Sequence, residues 1–193
     1  MKSKDYLLNI IKYVNYLEEH FEKIDTVIDI IRNARDNNRR VFLMGNGGSA
    51  AISSHLSCDL SKGTLRRTYN DNDNKFSVID LTTNTPLITA LANDISYEDI
   101  FYQQLRHHIE KEDVVLAISG SGNSPNILRA IRYANKIGAI TISLTGFDGG
   151  ELSGMTKYNI HIPSNHYGII EDIHSVVCHL IAFIIGDEEY ENR

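Results

Sequence analysis

Short apolar segments alternating with helical patterns along the second half of the chain predict a parallel, three-layer α/β fold. Two strand-to-turn junctions agree with it. Val41-Phe42-Leu43-Met44 runs straight into Gly45-Asn46-Gly47-Gly48-Ser49, and Val114 to Ile118 runs into Ser119-Gly120-Ser121-Gly122-Asn123-Ser124-Pro125-Asn126. Each reads as a strand, a tight turn and a helix start. Length sets the scale: 193 residues, 42% of them hydrophobic, suffice for one sizeable core, so a single domain over residues 1–193 is expected.

From the N-terminus, Leu7, Ile10, Ile11, Val14 and Leu17, then Ile24, Val27, Ile28 and Ile31, repeat at helical spacing and predict one or two amphipathic helices over 3–38, a helical extension before the first strand. Their apolar faces either cover the sheet or build an interface with another subunit. A strand is expected at 41–44, and a helix through about Leu60 with Ser49 as N-cap. Lys62 to Lys75 is polar and predicts an exposed loop. Further strands are expected at Phe76 to Leu81, Asp113 to Ile118, Ala139 to Leu144 and Tyr158 to Ile162. Helices fit at about 84–92, 97–109 and 125–137, and a final one runs from near Tyr167 to about Ile185. Pro125 suits a first helical turn, where its missing N–H costs little, and Gly138 suits a C-cap.

Composition excludes several functions. A net charge of −6, with only the short basic patch Lys62, Arg66 and Arg67, argues against a general nucleic-acid footprint. Cys58 and Cys178 make no disulfide framework, no apolar run is read as long enough to span a bilayer, and no cleavable signal pattern opens the chain. A cytoplasmic protein without membrane contact is the expectation.

The two glycine turns predict a phosphorylated substrate. Glycine permits close backbone approach, and successive N–H groups with the positive end of the next helix hold a dianion. Ser119, Ser121 and Ser124 add neutral hydrogen bonds, and local capping accounts for one such hydroxyl more readily than for three. Neither turn has the G-x-x-x-x-G-K-[ST] or a complete G-x-G-x-x-G pattern, so no nucleotide cofactor is expected.

His55 and Asp59 stand four apart on one helix, and Glu171 and His179 eight apart on another, within about 80° of one face. Two imidazoles and two carboxylates are ligand types for zinc or another divalent metal. Satisfied polar groups at helix surfaces, or a buried salt-bridged pair, remain the alternative. His174, three beyond Glu171, reads as a structural partner or an alternative ligand, and His107 and His108 as solvent-exposed. Met44 reads as core. Asp94 suits either two hydrogen bonds from sugar hydroxyls or an N-cap for the helix near Tyr97.

Taken in order, five segments resemble the sugar isomerase (SIS) family, and within it the phosphoheptose isomerases. They are Gly45-Asn46-Gly47-Gly48-Ser49 with His55 and Asp59; Leu91-Ala92-Asn93-Asp94; Ile118 to Asn126; Leu144-Thr145-Gly146-Phe147-Asp148-Gly149-Gly150; and Glu171-Asp172-Ile173-His174 with His179. The resemblance covers nearly the whole chain. It implies a flavodoxin-like five-stranded parallel sheet, a homotetramer with interfacial active sites, and interconversion of sedoheptulose 7-phosphate and D-glycero-D-manno-heptose 7-phosphate, commonly for lipopolysaccharide or capsule heptose. It implies substrate contacts at Asn46, Gly47, Gly48, Ser49, Asn93, Asp94, Ser119, Gly120, Ser121, Ser124 and Glu171. Metal or catalytic roles fall on His55, Asp59, Glu171 and His179, with Asp59 and His179 as the proton-transfer pair.

Two positions depart from the family pattern: Asp59 stands where glutamate is expected and Glu171 where glutamine is, while Tyr167 and Ile169 replace a threonine and an arginine. These departures keep open an isomerase for another phosphosugar, and a noncatalytic assembly protein of the same fold.

Overall fold

A computed structural model describes residues 2–64 and 74–191. Arg66, Arg67 and most of the segment expected as a polar loop lie outside the described residues. The N-terminal apolar series form two helices, α1 (Ser3–Glu18) and α2 (Phe21–Asp36). Then come β1 (Arg40–Gly45), α3 (Gly48–Cys58), β2 (Ser77–Asp80), α4 (Thr85–Asp94), α5 (Ile100–Arg106), β3 (Val114–Ser119) and α6 (Pro125–Ile137). The chain continues through β4 (Ile140–Thr145), α7 (Gly150–Met155), β5 (Tyr158–His161) and α8 (Tyr167–Glu191).

The five strands are all parallel, in the order β2-β1-β3-β4-β5. Central strands are covered on both sides, so their residues alternate between two apolar layers. Val41 and Leu43 of β1, with Val114, Leu116 and Ile118 of β3, face the layer that holds α1, α2, α3 and α8. Phe42, Met44, Val115 and Ala117 face the opposite layer, with α5 and α6. Strand β4 is apolar on one side only. Thr141, Ser143 and Thr145 are buried on the other, where they bond Asn135 (2.8 Å), Thr156 (2.6 Å) and Asn159 (3.0 Å) respectively, which offsets the cost of burying hydroxyls.

Local chemistry differs from expectation at several points. Ser49 is inside α3; Gly47 is the residue before it, and no side chain caps that end. Beyond Cys58 the helix does not stop: Asp59–Gly63 form a π-helical turn, so Lys62 belongs to that turn rather than to a loop. Asp94 ends α4, and Ser96, whose hydroxyl donates to Asp99 at 2.8 Å, precedes the next turn. The helix expected at 97–109 is a 3₁₀ turn, Tyr97–Asp99, followed by α5, which ends at Arg106. Helix α7 was not anticipated; it is six residues long and buries only Leu152. Gly138 does cap α6, at φ 86°.

Helix α8 corrects the reading that no segment is apolar and long enough to span a bilayer. Tyr167–Gly186 is 20 residues with mean hydropathy 1.8. Here its apolar side is spent on the sheet, burying Ile169, Ile170, Ile173, Val177, Ile181 and Ile185. Helix α1 is pinned against it: Tyr6 donates to Asp172 at 2.6 Å, and Tyr13 donates to the Pro163 carbonyl at 2.8 Å. The carboxylate accepting from Tyr6 pushes that phenol up to about 12.

His174 lies at the centre of α8, fully buried, with Nε2 3.1 Å from the Thr145 carbonyl oxygen. Nε2 therefore carries the proton, and buried Nδ1 has no hydrogen-bond partner. Burial pushes its pKa down to about 4, outweighing the Thr145 carbonyl, which acts in the other direction. The folded state thus refuses a proton that the unfolded chain accepts below its ordinary value of 6.5. Between pH 6.5 and about 4 the unfolding free energy should fall, by on the order of 3 kcal/mol from this residue alone. Urea unfolding across that range should show a shallower fall in His174→Leu than in the parent; equal slopes would remove His174 as the cause.

Candidate active site

Helix α3 crosses to one face of the sheet and α6 to the other, so β1 and β3 are the adjacent strands at which the winding reverses. A crevice opens outside the carboxyl ends of such a pair. Both glycine turns are there. A cleft of about 170 Å³ lies between them, lined by Asn46 and Ser49, by Ser119, Gly120, Ser121 and Ser124, and by Tyr167 and Glu171 from the start of α8.

The two turns are joined by a reciprocal amide pair. Asn46 Nδ2 donates to Asn126 Oδ1, and Asn126 Nδ2 to Asn46 Oδ1, both at 2.9 Å. Asn126 is 1% exposed, and its Oδ1 also accepts from the Ile127 N–H at 2.9 Å. Tyr97 donates to Asn46 Oδ1 at 3.1 Å. Sequence reasoning missed Asn126 and Tyr97 as parts of this site. The available signal was an amide placed immediately after a helix-starting proline, within reach of a second loop.

The serine turn is folded upon itself. Ser119 Oγ accepts from the Gly122 N–H at 3.2 Å and stands 3.5 Å from Ser124 Oγ; Ser121 Oγ accepts from the Asn123 N–H at 3.3 Å. Ser124 is the N-cap residue of the 13-residue α6, yet its hydroxyl makes no capping bond, which leaves a hydroxyl and a helix N-terminus directed at one cleft. No lysine or arginine lines it among the described residues. Gly122 needs both its φ of 64° and its lack of side chain, because a Cβ there would lie 2.0 Å from the Gly149 carbonyl oxygen.

Glu171 reaches over the first turn of α3: a Cβ on Gly48 would be 2.5 Å from Glu171 Oε1. A carboxylate at that helix end is electrostatically favoured. It is also the one acidic group lining the cleft among the described residues.

Further along α3 and α8, one nitrogen each from His55 and His179 and one oxygen from Asp59 all lie within 4.8 Å of one another. Asp59 Oδ2 is 3.3 Å from His55 Nε2 and 3.8 Å from His179 Nε2, and the two imidazole nitrogens are 3.4 Å apart. That oxygen is buried and has no hydrogen-bond donor. An orphaned carboxylate oxygen facing two imidazole nitrogens fits a divalent cation, and this donor set suits zinc or a related ion. Glu171 does not belong to the group, which has three members rather than the four expected.

Other expected positions fall elsewhere. Asn93 and Asp94 are exposed on α4, bonded to each other at 2.8 Å, and do not line the cleft. His174 is a buried structural histidine, not a member of the cluster. Both cluster imidazoles are open to solvent, with side chains 61% and 47% exposed at His55 and His179.

Comparison with known proteins agrees with this architecture. Residues 5–146 match the SIS domain family. A probable phosphoheptose isomerase of Thermoplasma acidophilum is 37% identical over 181 residues, spanning 90% of this chain and 97% of that protein. The phosphoheptose isomerase of Clostridium acetobutylicum is 34% identical over 91% of this chain and 87% of its own length. In three dimensions, the phosphoheptose isomerase GmhA of Neisseria gonorrhoeae superposes with a TM-score of 0.86 at 26% identity, covering 95% of this chain and 96% of that one.

The amide pair makes a direct prediction. Asn126→Ala leaves the Asn46 amide and the Ile127 N–H without their partner, so it should destabilise the protein by about 1–3 kcal/mol. A double-mutant cycle with Asn46→Ala, read by denaturant unfolding, should give a coupling of at least about 0.5 kcal/mol. Strict additivity would show that the pair does not join the loops.

Proposed function

This chain belongs to the SIS domain family, and on that premise we propose that it is a phosphoheptose isomerase acting on sedoheptulose 7-phosphate. The observation that carries the reading is the pairing of a cleft that has no lysine or arginine among its described lining, and that α3 and α8 help to wall, with a His–Asp–His cluster further along those two helices. Glu171, in the cleft, and His179, in the cluster, stand eight residues apart on α8, about 12 Å of helical rise. A long phosphosugar, whose reacting carbons lie at the far end from its phosphate, suits that separation better than a short one.

Ser119, Ser121, Ser124 and the N-terminus of α6 hold the phosphate. They hold it without a formal positive charge, by oriented dipoles. Isomerisation moves a proton between C1 and C2 through an enediol, which requires a base at carbon and a donor at oxygen. Asp59 and His179 are the pair assigned to that transfer, exchanging roles with direction, and His55 holds the Asp59 carboxylate between two imidazoles. In the alternative arrangement His55, Asp59 and His179 would hold zinc or another divalent ion; their lone pairs would then be committed to the ion instead of to proton transfer, and the chemistry supplied would be that of a Lewis acid for the sugar oxygen. Glu171 is assigned to the substrate side, where it faces the cleft.

Asn93 and Asp94, the solvent-open imidazoles, and the exposed Leu7, Leu8, Ile11 and Val14 of α1 support a homotetramer in which a second subunit completes each pocket. Solution mass by light scattering should be four times that of one chain. A fully active monomer would defeat this assembly.

The deciding assay is isomerisation of sedoheptulose 7-phosphate, measured after chelation and again after zinc is restored. Asp59→Asn and His179→Ala should each lower kcat by about 10²- to 10⁴-fold while remaining folded. Ser119→Ala, Ser121→Ala and Ser124→Ala should mainly raise KM, each by roughly three- to tenfold. Turnover of five- or six-carbon phosphosugars in preference to the seven-carbon one would reassign the substrate. Absence of turnover, with no exchange of the C1 or C2 proton, would favour a noncatalytic role.

A further inference from the structure

Two aromatic side chains, one lining the cleft and the other packed against it from outside, have no part in the phosphate binding or proton transfer proposed above. Tyr167 lines the cleft and lies against the serine turn, its ring carbons 3.4 and 3.5 Å from where a Cβ on Gly120 would be. It is 58% exposed although it is a large apolar ring at the start of a core helix. Phe147, from the loop after β4, packs edge-on against it with ring centroids 4.7 Å apart.

Phe147 occupies a costly conformation. Its φ is 48°, a region that a bulky side chain rarely enters. The loop enforces it: the Phe147 N–H donates to the Ser164 carbonyl at 3.0 Å, the Gly149 N–H donates to the Gly146 carbonyl at 2.8 Å, and the Gly150 N–H donates to Asp148 Oδ1 at 3.1 Å. Asparagine would satisfy the same backbone with less strain, yet the chain places phenylalanine there. Strain that is retained beside a cleft, and that delivers a ring to one particular neighbour, points to a use for that neighbour.

We infer that Tyr167 is a specificity-determining wall for the phosphosugar, against which the C–H face of its carbon chain lies, and that Phe147 is a positioning residue that holds this wall upright. The inference rests on the phosphosugar reading of the cleft. Serine hydroxyls fix the phosphate end, and an aromatic face beside them restricts the direction in which the carbon chain leaves. A ring also discriminates by length, because each further CH–OH unit adds apolar surface to be covered.

The test compares sedoheptulose 7-phosphate with inorganic phosphate as titrants, by calorimetry, alongside steady-state kinetics. Tyr167→Ala should weaken phosphosugar binding and raise KM about tenfold, with kcat little changed and inorganic phosphate affinity unaltered. Tyr167→Phe should retain the parent KM, since the ring remains. Phe147→Asn, which keeps the backbone, should raise KM severalfold without lowering Tm, a split that a purely structural residue would not produce. Parent-like phosphosugar affinity in Tyr167→Ala would overturn the wall; a fall in Tm with unchanged KM in Phe147→Asn would overturn the positioning role. Weakened phosphosugar binding in Tyr167→Ala without turnover by the parent would uphold the wall and sink the isomerase reading. Binding of neither titrant by the parent would overturn both.

Discussion

Two parallel strands whose succeeding helices pass to opposite faces of a sheet leave their carboxyl ends uncovered, and the candidate cleft of this protein sits in one such opening. Between β1 and β3 the backbone N–H groups of two turns converge where neither helix blocks access. The reciprocal bonds between Asn46 and Asn126 close the gap at one point and fix its width. Both amides use donor and acceptor at once, so Asn126, almost fully buried, is left with little unsatisfied.

Much of this was legible in the sequence. The central strands β1 and β3 announced themselves as apolar runs leading into glycine turns, and α6 was bounded by Pro125 and Gly138, whose backbone constraints act locally. Local signals failed where the deciding contact is remote. Ser49 looked like a cap, but the cap residue is Gly47, two residues earlier, and the remote Glu171 packs over Gly48 in the first turn. Helix α7 carries too few apolar residues to show a period and is held by remote contacts: Leu152 is buried and its N–H donates to the Gly122 carbonyl. The convergence of His55, Asp59 and His179 depends on how α3 meets α8, which spacing within either helix does not encode.

The electrostatics of the cleft are unusual for an anion site. A chain of net charge −6 presents no cation at the serine turn among the described residues, and Glu171 adds a carboxylate at its edge. A phosphate bound there would be held by aligned N–H groups and hydroxyls at short range, which would make orientation the dominant requirement and leave little long-range attraction. A glutamine at 171, which the family resemblance implies, would remove the carboxylate charge while keeping a similar shape.

The π-helical turn at Asp59–Gly63 carries one more residue than the ordinary α-helical turn it stands in for. Its ladder is the poorer one, so local backbone energetics favour losing a residue there. Loss of one would rotate the downstream chain by about 100° relative to α3 and alter the seat of Asp59 between His55 and His179. Helix stability and site geometry therefore pull in opposite directions at this turn. Insertions and deletions that exposed loops absorb freely would be filtered here by function, making the length of this short stretch as informative as the identity of its residues.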